Sequence, residues 1–260
     1  MSYLKVCKIF ILIAILPFAS RAQDLILDNG ATPAMNGSYT YNVVSLTQSS
    51  FIMVSGGDQT LTLICDSLYI ESGSGINADN ISTDSNFGGE DYAATSGGGG
   101  GGGHAGAGGT GGGSEGAEGG NSYGGPFAFY RGSKGGLGDV ESHTSYITGG
   151  KGGGCIHIEA RSAVINGTIS VNGGNGTQFS TFNNNYGYDH GGGGGGSGGQ
   201  ISLYITTIES ENALITAIGG NGGAPYEGDY GDNYTPGGGG GGGGGYITIQ
   251  SESDINEDQI

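Results

Sequence analysis

Two short stretches concentrate the side chains that could do chemistry. Tyr186, Tyr188, Asp189 and His190 precede one long glycine run, and Tyr226, Glu227, Asp229, Tyr230, Asp232, Asn233 and Tyr234 precede the next. Tyrosines mixed with carboxylates and amides suit contact with sugars. The oxygens of Asp229, Asp232 and Asn233 are of the type that ligates Ca²⁺. The same composition also describes a solvated loop with no ligand. The GGxGxD calcium repeat is absent, and Gly135-Gly136-Leu137-Gly138-Asp139 misses it by one residue. Ca²⁺ is therefore the one cofactor to consider, and no other is expected.

Other chemistries find no support in the spacing. His104, His143, His157 and His190 form no metal-ligand pair on one element. His157 lies between Ile156 and Ile158, which predicts that it faces the opposite way from them and is exposed. No G-x-S-x-G occurs, and the glycine runs lack the lysine and helix of a phosphate-binding loop. Acidic residues fall in loops instead of alternating along strands. No enzyme is expected.

The charge narrows the partners. The chain has 7 Lys and Arg against 24 Asp and Glu, a formal net charge of -17. A phosphate backbone would repel it, so nucleic acid is not an expected partner. Lys5 and Lys8 precede the apolar run Ile9–Phe18, and Ser20-Arg21-Ala22 offers a cleavage site. Residues 1–22 thus read as a secretory signal too short to span a bilayer, with no membrane span expected after cleavage. The protein is expected to be secreted or on the cell surface. Cys65 and Cys155 remain after cleavage. In an oxidising compartment they could pair, or they could be buried free thiols.

The elements that must position these groups are repeats. Gly191–Gly199 (GGGGGGSGG) leads directly into Gln200-Ile201-Ser202-Leu203, and Gly237–Gly245 leads into Tyr246-Ile247-Thr248-Ile249. Ile169 and Ile215 are 46 residues apart, as are Ile201 and Ile247. Ile76 precedes Ile169 by 93 residues, and Leu63 precedes Ile156 by the same distance. Repeats of this length signal stacked coils. Tyr39–Leu46, Phe51–Val54, Leu61–Ile64 and Leu68–Ile70 read as short strands, rich in β-branched and aromatic residues. The segments are a signal (1–22), an N-terminal β region with a first repeat (23–85), a glycine-rich insertion (86–152), and glycine-rich repeats with an acidic cap (153–260).

Glycine supplies 63 of the 260 residues. Its runs are either flexible linkers or threefold extended helices of polyglycine II type. Ordering a residue costs about 1–2 kcal/mol and a net hydrogen bond returns about 0.5–1.5 kcal/mol. An isolated run therefore does not order. Runs packed side by side and anchored by strands can. Gly97–Gly125 has the weakest anchors and is expected to be the least ordered tract.

The pattern of glycine run, I-x-I strand and Ile169-Ser170-Val171-Asn172-Gly173-Gly174-Asn175-Gly176 resembles secreted glycine-rich β-repeat surface proteins. The runs also resemble the glycine-rich domain of the anaplastic lymphoma kinase receptor family and the tips of phage adhesins, across roughly residues 61–256. That resemblance implies glycine helices packed on one another. The expected fold is all-β: stacked short-strand repeats, β-helix-like, with packed polyglycine II-type connections. The expected function is structural or adhesive, with Tyr186, Tyr188, Asp189, Tyr226, Asp229, Tyr230 and Tyr234 facing glycans, a cell surface or matrix. The alternative is a carbohydrate-binding or polysaccharide-active β-helix.

Overall fold

The computed structural model describes residues 23–91, 97–113, 116–126, 129–138, 147–178, 189–227 and 235–252. The expected signal, and with it cleavage after Ala22, lies outside them. All eleven elements among the described residues are strands, in two parallel sheets. The first sheet runs in the order β1 (Gln23–Leu27), β3 (Gly37–Leu46), β5 (Thr60–Ile70), β7 (Cys155–Ile165), β9 (Gln200–Glu209), β11 (Tyr246–Ser251). The second runs β2 (Ala34–Met35), β4 (Phe51–Val54), β6 (Gly75–Asn77), β8 (Thr168–Ser170), β10 (Leu214–Thr216). The chain alternates between the sheets, so each turn stacks on the one before it. This is a β-helix-like solenoid.

Parallel pairing in register aligns like with like. Leu61, Ile156, Ile201 and Ile247 form one column, and Leu63, Ile158, Leu203 and Ile249 the next. Ile52, Ile76, Ile169 and Ile215 face them from the second sheet. All but Ile215, Ile247 and Ile249 are fully buried. Each buried Ile or Leu contributes about 1.5–3 kcal/mol, enough to anchor what the strands carry. At the corner between the sheets, serines bond from coil to coil. The Ser50 N–H donates to Ser74 Oγ at 3.2 Å, and Ser210 Oγ donates to the Ile165 carbonyl at 2.5 Å.

The third side of each coil changes along the chain. Early coils close it with a short turn, Ser55–Gln59 between β4 and β5. After β6, β8 and β10 the chain instead leaves the solenoid, runs outward, and returns through glycine to the next strand of the first sheet. These excursions pack together as a bundle beside the solenoid.

The run Gly191–Gly199 is the axis of that bundle and is buried throughout. Its N–H groups donate to three neighbours. Gly192 and Gly195 bond Gly237 and Gly240, Gly193 and Gly196 bond Thr177 and Gly174, and Gly194 and Ser197 bond Gly136 and Ser133, at 2.8–3.0 Å. Its carbonyls accept from three further segments: Gly99 and Gly102, Gly150 and Gly153, and Gly220 and Gly223. Successive residues face different neighbours and every third faces the same one, which is a threefold polyglycine II helix. The spacing leaves no room for side chains. A Cβ on Gly194 would lie 1.9 Å from the Gly100 carbonyl oxygen, on Gly195 2.1 Å from that of Gly220, and on Gly196 2.1 Å from that of Lys151. Ser197 is tolerated where the facing run ends at Gly103, and its hydroxyl accepts from the Ser133 N–H at 2.8 Å.

The insertion departs from expectation. Gly97–Gly103 is buried, not loosely held. It hairpins through His104–Ala107 into Gly108–Gly113, and the two runs dock on Gly191–Gly199 and Gly237–Gly245. Neighbouring segments such as Glu90, Gly109 and Gly112 bond it, and Gly99 and Gly102 add bonds to a run more than ninety residues away, which local reading does not register.

Candidate functional site: the two ends of the glycine bundle

The bundle has a far end, away from the solenoid, and a root end against it. At the far end the bonds Gly99–Gly192, Gly192–Gly237 and Gly193–Thr177 set the runs level with one another, beside Asp189 and Tyr226 at the bases of the two acidic, tyrosine-rich stretches.

His190 and Tyr226 tie the bases of those two stretches together. Each backbone N–H donates to the other's carbonyl at 2.9 Å, and the ring centroids are 6.2 Å apart. Asp189 and Tyr226 of the expected contact set are thus brought side by side. Tyr186, Tyr188, Asp229, Tyr230, Asp232, Asn233 and Tyr234 lie outside the described residues, and so does the Ca²⁺ candidate. Among the described residues, no group of three His, Cys, Asp or Glu is placed to hold a metal.

At the root end, residues 121–126 and 129–133 lie across the outer face of the first sheet as a strap. The Gln200 amide holds it: Nε2 donates to the Pro126 carbonyl at 3.2 Å, and Oε1 accepts from the Tyr130 N–H at 3.1 Å. Thr248 Oγ1 also donates to Pro126, at 2.9 Å. Arg131 clamps the strap to the solenoid, with Nη1 donating to the Asp58 carbonyl at 3.1 Å and Nη2 lying 3.9 Å from Asp84. The Tyr123 hydroxyl donates to the Arg131 carbonyl. Burial pushes Tyr123 up to about 12.

His157 is a correction. It faces outward as its position between two isoleucines requires, yet it is only 6% exposed. Phe129 of the strap covers it edge-on at 4.6 Å, Tyr204 flanks it at 5.3 Å, and Nε2 lies 2.9 Å from Glu159. The signal was the aromatic pair Phe129-Tyr130 in an otherwise glycine-rich tract, a pair that packs back onto the sheet.

His104 plugs the junction of bundle and strap. Its Nδ1 donates to the Gly198 carbonyl at 2.8 Å, and its ring meets Tyr123 at 4.8 Å and Tyr246 at 5.2 Å. Nε2 is buried with no partner among the described residues. A second proton there would be a buried donor with no acceptor, and burial lowers the His104 pKa below its ordinary value.

The cysteines settle as free, buried thiols. Cys155 aligns with Thr60, and Cys65 with Ala160. They therefore sit five positions apart along neighbouring strands, about 16 Å, beyond the reach of a disulfide. Burial pushes Cys65 up to about 11 and Cys155 to about 12.

Compared with protein-family models, curated proteins and solved structures, the chain gives no match.

Proposed function

We propose that the chain is a secreted structural or adhesive protein in which a rigid glycine bundle holds tyrosine- and acid-rich sequence away from its solenoid. The observation that supports this is the pairing of His190 with Tyr226, which brings the bases of the two acidic, tyrosine-rich stretches together at the end of one hydrogen-bonded bundle. A bundle of backbones, with almost no side-chain volume, sets those two bases at fixed positions relative to one another. Display is what such a device is suited to, and non-catalytic contact with a cell surface or matrix is the reading we favour. The acidic balance of the chain disfavours polyanionic partners.

The reading is tested by presenting the secreted chain to glycan arrays and to cells, beside a variant with Tyr186, Tyr188, Tyr226, Tyr230 and Tyr234 changed to serine. Binding lost in the variant, with melting unchanged, supports display. Equal binding by both proteins overturns it.

A second reading, carbohydrate binding on the solenoid, draws on the outer face of the first sheet. Phe129 and Tyr130 are 56% and 45% exposed there, and Tyr204, Glu159 and Gln250 share one rung beside them. Glycan binding that survives the tyrosine changes but is lost in Phe129→Ala favours this face.

A further inference from the structure

On the outer face of the first sheet, side chains line up in rows that run across the strands. One row carries Thr40, Ile64, Glu159 and Tyr204. Its members stand on β3, β5, β7 and β9, interior strands that are each paired on both sides. His157 lies two residues before Glu159 and Arg161 two residues after it, on the same face of β7.

His157 holds Glu159. Among the described residues its ring makes one polar bond, between Nε2 and Glu159 Oε1 at 2.9 Å. An ionised carboxylate only accepts, so Nε2 carries the proton. Phe129 and Tyr204 press on the ring at 4.6 and 5.3 Å and keep it from turning away. The Glu159 side chain is itself 52% exposed, and without this bond it would be free to move. The row does not call for an imidazole, because Thr62 and Ser202 fill the same position on the flanking strands. A buried histidine here does one thing that a serine would not: it fixes a surface carboxylate.

Apolar surface frames that carboxylate. Ile64, Phe129 and Tyr130 are exposed, and Tyr204 is half-buried beside them. Arg161, exposed in the next row, pairs with Asp66 at 3.2 Å. The face thus offers aromatic rings, carboxylate acceptors and guanidinium donors together. A sugar ring presents the matching surfaces, C–H groups on its faces and hydroxyls at its rim. An organic cation would meet Arg161. A polyanion would meet Glu159 and Asp66 on a chain of net charge -17. A neutral glycan meets neither penalty.

We propose that this face binds a neutral glycan laid across the strands, with Tyr204 and Phe129 against its rings and Glu159, positioned by His157, accepting from its hydroxyls. The proposal rests on the second reading above and adds to it the charge class of the ligand, its direction and its anchor. Neighbouring strands lie about 4.8 Å apart, so the row from Thr40 to Tyr204 spans about 14 Å, longer than one sugar ring. Affinity therefore rises with the length of the oligosaccharide.

The test is isothermal titration calorimetry of the secreted chain with disaccharides to hexasaccharides of neutral glucan, mannan and xylan, beside polygalacturonate and chitosan as charged controls. The expected result is binding in a neutral series that tightens with length and is unchanged between roughly 0.05 and 0.5 M NaCl. Glu159→Gln, at an exposed position, weakens it about tenfold or more with melting unchanged. Tyr204→Ser does the same and serves should the first variant fail to fold. His157→Phe keeps a ring beneath Phe129 and removes the bond to Glu159; it weakens binding in the native chain and adds nothing to Glu159→Gln, a coupling that loss of packing alone would not produce. Binding lost in Phe129→Ala but undiminished in Glu159→Gln and Tyr204→Ser overturns this anchor and leaves carbohydrate binding on the face standing. Binding to the charged polymers alone overturns the neutral ligand. Binding that survives Phe129→Ala, or no binding to any glycan, overturns the proposal and the reading beneath it.

Discussion

Gly195→Ala probes the bundle with a single methyl group. The new Cβ would sit 2.1 Å from the Gly220 carbonyl oxygen, so the two runs must separate by more than an ångström. Gly220 is held from two sides: its N–H donates to Gly196 at 2.8 Å, and its carbonyl accepts from Gly242 at 2.8 Å. Moving it breaks both bonds. Each costs about 0.5–1.5 kcal/mol net, and a buried group left unpaired costs about 1–3 kcal/mol. The expected destabilisation is about 3–5 kcal/mol, well beyond an ordinary surface substitution. Gly241→Ala is the matched control, because its nearest neighbour is 3.8 Å away. There the methyl group restricts the unfolded chain and stabilises by about 0.4–1 kcal/mol. Urea denaturation at low protein concentration reads both. Were the runs slack linkers, the two variants would behave alike, with neither destabilised. That outcome would refute the packed-bundle argument.

Two further outcomes follow from buried groups. The His104 pKa is lowered in the fold, so between that value and its ordinary 6.5 the unfolded chain binds more protons than the folded one, and stability falls as pH drops below neutrality. Urea midpoints between pH 7 and pH 5 should show this slope, and His104→Gln should flatten it. Cys65 and Cys155, with thiols pushed up to about 11 and 12, should resist a thiol reagent at pH 8 until urea unfolds the chain; rapid labelling of the folded protein would contradict their burial.

Much of the solenoid was legible in the sequence because side-chain alternation writes it there. Phe51–Val54 is β4 as expected, and Leu61–Ile64 and Leu68–Ile70 join as one strand, β5. The repeat of 46 residues is the observed register of Ile169 on Ile215 and of Ile201 on Ile247. The 93-residue spacing sets Leu63 against Ile156, but it is Leu61 that pairs with Ile156 and Leu63 with Ile158. A shift of two residues keeps every side chain on its own face, so the apolar pattern cannot detect it. The covered position of His157 was not legible either, because Phe129 reaches it from a segment with no periodicity of its own. The same holds for Gly97–Gly103, where Gly99 and Gly102 bond the backbones of remote runs. A glycine run states that close approach is possible and not which run approaches.

The central claim is that the glycine runs are a hydrogen-bonded lattice rooted on the solenoid. Amide hydrogen exchange, resolved residue by residue by NMR, tests it most directly. The account predicts that Gly192–Gly199 exchanges as slowly as β7 and β9, that Gly99–Gly102 is protected with them, and that Gly241 and Gly244, whose N–H groups have no acceptor among the described residues, exchange fast. Exchange of Gly192–Gly199 at the rate of an unstructured peptide would contradict it.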